Sequence, residues 1–127
     1  MPETAGYSGT PLPRKLGVKP DSRAAIAAEG VDQPLPEACD VVVFFVTRRS
    51  ELERRLPALL LALAPAGGLW ISWPKKSSGL ETDLNENVLR EIVLPTGLVD
   101  NKVIAIDQRW SGLRFVWRKH LRPPKGS

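Results

Sequence analysis

The chain is poor in the residues that build metal and redox sites. It contains one cysteine, Cys39, and one histidine, His120, among 127 residues. A structural zinc site built from cysteine and histidine is therefore excluded, and we expect no metal site. A single cysteine cannot form an internal disulfide, which fits a reducing cytoplasm. Because Cys39 directly precedes an apolar segment, we interpret it as a packing residue rather than a reactive thiol.

Long hydrophobic runs and catalytic constellations are also missing. The longest apolar stretch, residues 56–66, is interrupted by Pro57 and is too short to cross a bilayer. No basic-then-apolar leader opens the sequence, so we expect a cytoplasmic protein without a membrane partner. There are no paired carboxylates, no Ser–His–Asp set and no dinucleotide fingerprint, and His120 has no acid or nucleophile motif beside it. The sequence thus predicts neither an enzyme nor a cofactor.

The positive charge is concentrated at the end of the chain. The net charge is +4, yet from Arg109 onward there are six Lys or Arg residues and no acid. Such a segment attracts polyanions without sequence preference. One alternative function is therefore nonspecific nucleic-acid binding, through Arg114, Arg118, Lys119 and Arg122. We favour a solvated tail over this alternative.

Five segments predict the strands of one sheet: residues 22–28, 40–47, 69–73, 100–107 and 113–119. Residues 40–47 are continuously apolar, as expected for a strand covered on both faces, and we also predict buried strands at residues 69–73 and 100–107. The last segment alternates Leu113, Phe115 and Trp117 with Arg114, Val116 and Arg118. We expect it to return antiparallel with one face towards water.

Helix signals separate these strands. A short helix is predicted at residues 10–17, and a longer one at residues 50–68, with a Ser50–Glu53 capping box and Gly67 or Gly68 at its end. A third helix is predicted at residues 82–97. Asp83 or Asn85 would cap this helix, Leu84, Val88 and Ile92 would form its buried stripe, and Pro95 and Gly97 would end it.

The order of elements predicts an α/β fold: a mixed, mostly parallel sheet of about five strands with a C-terminal antiparallel hairpin. Right-handed crossovers should place the two longer helices on one face of the sheet. The other face needs the N-terminal segment or a second subunit as cover, so a homodimer is allowed but not indicated. We expect an extended arm at residues 1–9, one domain at residues 10–119, and an unstructured basic tail at residues 120–127.

The segment "WPKKSSG" raises the question of a binding site. Ligands of open α/β sheets bind outside the carboxyl ends of the parallel strands, where four segments should converge. Lys75 and Lys76 would form an anion clamp there, with Asp107 and Trp110 nearby as further ligand-binding residues. The competing interpretation is structural: Pro74 ends the strand, the lysines are solvated, and Asp107 starts a turn.

Several segments of this sequence resemble two known protein families. "AGYSGTPLPRKLGVKP", "LWISWPKKSSGLETDLNENVLREIVLPTGLVDNKV" and "IDQRWSGLRFVWRK" resemble a bacterial family known as domain of unknown function 3052, over residues 6–119. That family implies no activity. "LGVKPDSRAAIAAEG" and "DVVVFFV…LPALLLALAPAGGLWIS" are similar to the first, fourth and fifth strands of class I methyltransferases, which implies a reduced Rossmann-like fold.

The methyltransferase resemblance is incomplete where those enzymes hold S-adenosylmethionine. The loop after the first strand has a single glycine, Gly30, and the second and third strands, with their ribose-binding acid, are missing. Our main interpretation is a binding or regulatory module for an anionic small molecule or an unidentified protein partner. The alternative is a vestigial or atypical methyltransferase-like enzyme that binds an adenine-containing ligand.

Overall fold

A computed structural model describes residues 12–121. The predicted arm, Thr10 and Arg122 lie outside the described residues. Five strands form one sheet: β1 (Ala24–Ala28), β2 (Cys39–Phe45), β3 (Leu63–Pro74), β4 (Leu98–Ala105) and β5 (Trp110–Trp117). Three α-helices accompany them among the described residues: α1 (Leu12–Lys15), α2 (Arg49–Ala62) and α3 (Glu86–Val93). No helix of this part of the chain is long and apolar enough to cross a membrane.

The strands lie in the order β1-β2-β3-β5-β4. β1, β2 and β3 are parallel neighbours, whereas β5 runs antiparallel to both β3 and β4. The hairpin of β4 and β5 therefore inserts its second strand beside β3 and leaves β4 at one edge. These pairings confirm the predicted α/β class with a mixed, mostly parallel five-stranded sheet.

The main core lies between the sheet and helices α2 and α3. Leu52, Leu56 and Leu59 of α2 and Leu89 of α3 are buried in this core with the side chains of one sheet face. Both helices thus occupy the same face, as the crossover rule predicts. Burial of this many large apolar side chains, each contributing about 1.5–3 kcal/mol, supplies the main stabilisation of the fold.

The opposite face is covered more thinly. Leu16, which follows α1, packs with Val41, Val43 and Trp70 of the sheet. The indole Nε1 of Trp70 donates to the backbone oxygen of Leu16 at 3.0 Å, and Trp70 is fully buried. The predicted cover from the N-terminal segment is therefore present at Leu16.

Expectations about three of the elements are wrong. α2 has no Ser50–Glu53 capping box, because Arg48 is its N-cap without a side-chain bond, and the helix ends at Ala62, before the glycines. β4 is an edge strand that is largely exposed, not a buried strand. In α3 the fully buried residues are Leu89 and Val93, whereas Val88 and Ile92 are only partly buried. The predicted caps of α3 are correct: Asn85 accepts from the Val88 N–H, and Gly97 ends the following turn.

The two adjacent glycines of β3 have different packing roles. A Cβ atom at Gly67 would lie 2.7 Å from the backbone oxygen of Cys39, in the bulged part of the β2–β3 pairing. A Cβ atom at Gly68 would lie 2.5 Å from Nε of Arg114, whose side chain can move away. At Gly67 the added Cβ atom would meet a backbone oxygen, which cannot move away as a side chain can.

We therefore expect Gly67→Ala to lower the free energy of unfolding by about 2–3 kcal/mol, as overpacking does, and Gly68→Ala to cost less than about 1 kcal/mol. Urea denaturation of both variants measures the difference. In an Arg114→Ala background the effect of Gly68→Ala should disappear, while that of Gly67→Ala should persist. Equal losses for the two glycines would contradict the assigned packing.

Candidate functional site

The parallel strands β1, β2 and β3 end at one edge of the sheet, which we call the carboxyl edge. The residues that follow them are joined by hydrogen bonds rather than left open. The backbone N–H of Lys75, after β3, donates to the oxygen of Arg109 at 2.7 Å. This bond brings the "WPKK" segment next to the turn between β4 and β5, as the predicted convergence requires.

Glu29 closes the first part of the carboxyl edge. Its Oε1 accepts from the backbone N–H groups of Thr47 at 2.9 Å and Arg48 at 3.1 Å, and its Oε2 accepts from the Thr47 hydroxyl at 2.7 Å. The carboxylate thereby ties the end of β1 to the corner between β2 and α2. Sequence reasoning assigned Glu29 no role, although an acid directly after a strand was the available signal.

The loop between β3 and α3 closes the same corner from the other side. The hydroxyl of Thr82 donates to the oxygen of Thr47 at 2.6 Å, and Oδ1 of Asp83 accepts from the N–H of Arg49 at 2.7 Å. Arg49 is the first residue of α2, so Asp83 supplies the side-chain cap that was predicted from the sequence at Ser50. The N-terminus of α2 is thus bonded to protein groups at this point.

An open cleft of about 720 Å³ remains between the end of β3 and the start of α3. Its lining residues include the two predicted lysines: Trp73, Pro74, Lys75, Lys76, Thr82, Asp83, Leu84, Asn85, Glu86, Asn87 and Ser111. Lys75 is half-buried and Lys76 is exposed. No salt bridge joins either lysine to a carboxylate within residues 12–121.

The acids of this cleft already have partners. Glu86 pairs with Arg90 at 3.1 Å, and Arg90 also pairs with Asp100 at 3.2 Å. Asp83 is engaged with the Arg49 N–H. The positive groups of the cleft are therefore less neutralised than the negative ones. Trp73 is only 7% exposed, so it forms the floor of the cleft as a packing residue.

Asp107 and Trp110 do not line this cleft. Oδ1 of Asp107 accepts from the N–H groups of Arg109 at 2.7 Å and Trp110 at 2.8 Å, which is the turn-forming role that competed with ligand binding. The ring of Trp110 packs edge-on against Phe45, with centroids 5.3 Å apart. The structure thus groups Lys75 with Lys76 and assigns Asp107 to a turn.

The residues of the nucleic-acid alternative differ in their exposure to solvent. Arg118 and Lys119 are exposed, and Arg122 lies outside the described residues. Arg114 is half-buried on the sheet face opposite α2 and α3, where burial lowers the pKa of its guanidinium. Its hydrogen bond to Oδ1 of Asn101 is long, at 3.4 Å. Within residues 12–121 no group of three or more potential metal ligands is present.

A larger cavity, of about 1030 Å³, lies between the β1–β2 loop and α2. Arg55 ties its walls together: the guanidinium donates to the oxygen of Val31 at 2.8 Å and to Asp32 at 3.1 Å. A hydrogen bond from Arg54 holds the pKa of Asp32 below its usual value. These contacts anchor the loop to the helix, so Arg55 has a structural role here.

Comparisons with known proteins agree on the fold. The chain is similar to a TehB-like SAM-dependent methyltransferase from Corynebacterium glutamicum, with 12% identity and a TM-score of 0.57 over 90% of this chain and 91% of that chain. A SAM-dependent methyltransferase from Aquifex aeolicus matches with 16% identity and a TM-score of 0.51, over 81% of this chain and 58% of that one.

A putative type 11 methyltransferase from Sulfolobus solfataricus also matches, with 13% identity and a TM-score of 0.52, over 76% of this chain and 59% of that chain. No protein-family model and no curated protein sequence matches. The chain therefore has a methyltransferase-like, reduced Rossmann fold, and its resemblance to domain of unknown function 3052 is not confirmed. At these identities the likeness shows the fold alone.

The role of Glu29 can be tested by substitution. Glu29→Ala would leave the N–H groups of Thr47 and Arg48 without their acceptor, so we expect a loss of about 2 kcal/mol in the free energy of unfolding. Glu29→Gln keeps an acceptor oxygen and should cost less than about 1 kcal/mol. Urea denaturation of the two variants provides the comparison. An alanine variant as stable as the parent would contradict this structural role of Glu29.

Proposed function

We propose that the protein is a vestigial methyltransferase-like domain that binds an anionic, adenine-containing ligand and transfers no methyl group. The ligand would lie in the cleft between the end of β3 and the start of α3. The observation that carries this proposal is the position of Lys75 and Lys76, two lysines without a described salt bridge, on a cleft at the carboxyl edge. Ligands of open α/β sheets bind at this edge.

The start of α3 adds to the positive potential of the cleft. Asn85 caps the N–H of Val88, and no hydrogen bond to a described residue occupies the N–H groups of Glu86 and Asn87. A helix N-terminus carries partial positive charge and free N–H donors that suit anions. A phosphate or carboxylate between the lysines and α3 would therefore be bound from both sides.

The adenine part of the proposal depends on the fold. The similar structures include SAM-dependent methyltransferases, and the sulfonium cofactor of such enzymes carries an adenosyl group. A domain derived from that fold is a candidate to keep a preference for adenine. A phosphate-bearing adenine nucleotide matches both this origin and the two lysines.

S-adenosylmethionine itself does not fit the residues after β1. Gly30, with a φ of 83°, forms a tight turn in which the Val31 N–H bonds back to the oxygen of Ala28 at 3.2 Å. That N–H is not free to meet a ligand. Both oxygens of Glu29 accept hydrogen bonds from the β2–α2 corner, and no described strand pairs with the outer edge of β1 to carry a ribose-binding acid.

A thermal-shift experiment tests the proposal. At about 1 mM, AMP or ATP should raise the melting temperature by roughly 3 °C, because a ligand that binds only the folded state stabilises it. Inorganic phosphate should give a smaller shift, and S-adenosylmethionine less than about 1 °C. The shift should disappear in Lys75→Ala/Lys76→Ala.

The matched control is Lys102→Ala/Lys119→Ala, which removes the same charge from two exposed lysines outside the cleft. This control should keep the nucleotide shift. A larger shift with S-adenosylmethionine than with nucleotides would contradict the proposed preference for a phosphate-bearing nucleotide. No shift with any nucleotide, or equal losses in both double variants, would overturn the ligand site.

A further inference from the structure

Most polar side chains of the cleft between β3 and α3 are already engaged within the protein. The Thr82 hydroxyl donates to the oxygen of Thr47 at 2.6 Å and accepts from the N–H of Leu84 at 3.1 Å. Oδ1 of Asn85 accepts from the N–H of Val88 at 2.9 Å. The two acids of the cleft have the partners described above. A ligand therefore has few side chains left that can recognise it.

Asn87 is the amide of the cleft that keeps both its donor and its acceptor. It is the second residue of α3, it is exposed, and its side chain makes no hydrogen bond within residues 12–121. Helical side chains lean towards the N-terminus of their helix, so the Asn87 amide leans towards the end of α3 that borders the cleft. The hydroxyl of Ser111 is also free in this part of the chain, but a hydroxyl pairs with any base.

A free asparagine side chain can distinguish adenine from guanine. The amide offers one acceptor oxygen and one donor NH2 group side by side. Adenine presents its N6 amine as a donor next to the N7 acceptor, and asparagine bonds to both at once. Guanine presents two acceptors, O6 and N7, on the same edge, so the amide can satisfy only one of them. An asparagine therefore favours adenine over guanine.

We propose that Asn87 reads the adenine base of the ligand, while Lys75 and Lys76 hold its phosphate. This inference rests on the proposed nucleotide site and adds the residue that selects the base. The lysines follow β3 whereas Asn87 belongs to α3, so the two kinds of group border the cleft from different elements. The ribose of a nucleotide separates the base from the phosphate, which suits recognition by two separate groups.

Calorimetric titration of the full chain with AMP, GMP and ribose 5-phosphate tests the role of Asn87. The parent should bind AMP about tenfold more tightly than GMP, as one bidentate contact to a base allows. Asn87→Ala should weaken AMP binding to the level of GMP and leave ribose 5-phosphate unchanged. Alanine is favourable in a helix and Asn87 is exposed, so the melting temperature of the unliganded variant should stay that of the parent.

Asn87→Asp should reverse the preference. A carboxylate has two acceptors and no donor, which matches the N1–H and the N2 amine of guanine. Its negative charge weakens AMP and GMP alike, because both carry the same phosphate, so the measured quantity is the ratio of their affinities. Asn101→Ala and Asn101→Asp are the matched controls, since Asn101 is an exposed asparagine of β4 outside the cleft. Both controls should keep the ratio of the parent.

The outcomes separate this inference from the proposed function. If AMP binding is lost in Lys75→Ala/Lys76→Ala but both Asn87 variants keep the AMP-to-GMP ratio of the parent, the role of Asn87 is overturned and the ligand site stands. A parent that binds GMP as tightly as AMP would also overturn the role of Asn87, and would leave a phosphate site at the lysines. A parent that binds no nucleotide would overturn the proposed function and this inference with it.

Discussion

The arrangement of the carboxyl edge depends on the contact of one carboxylate with two backbone N–H groups and a hydroxyl. Glu29 joins the end of β1 to Thr47 and Arg48, where β2 turns into α2. β1 and β2 are parallel neighbours linked by a loop without a helix, and the Glu29 carboxylate adds to their backbone pairing a link to the corner where α2 begins. Hydrogen bonds to an ionised carboxylate are among the stronger ones in proteins, which suits this task.

The same contact bears on where the proposed ligand would bind. With Glu29 engaged and Asp83 on the Arg49 N–H, the region after β1 and β2 is filled by protein groups. The two lysines that line the cleft, Lys75 and Lys76, lie further along the edge. The absence of a described strand beyond β1 also leaves that strand as an edge, with Ile26 exposed. The proposed ligand site and the exposed Ile26 thus lie at separate parts of one reduced sheet.

Local patterns predicted much of the fold. The five strands, the α/β class and the Asn85 cap of α3 follow from periodicity and from turn-forming residues near in sequence. The errors concern contacts between distant residues. The N–H of Arg49, at the start of α2, is capped by Asp83, which lies 34 positions further along the chain. The capping box predicted from the nearby Ser50–Glu53 pair was therefore wrong. β4 was expected to be buried because residues 103–106 are apolar, but its place at the edge depends on β5 inserting beside β3. For the site, sequence reasoning named the two lysines that line the cleft, whose ligand-binding role stays a prediction, and it assigned no role to Glu29.

The most direct test of the central claim is a two-dimensional ¹H–¹⁵N NMR titration of the full chain with AMP. The account predicts that amide signals of residues 75–79 and 85–87 shift with saturating, site-specific behaviour. Signals of Glu29, Gly30, Thr47 and Arg48 should stay in place, because their groups are already bonded within the protein. Shifts confined to residues 29–31 and 47–49, above all with S-adenosylmethionine, would contradict it and restore the ligand position of the methyltransferases.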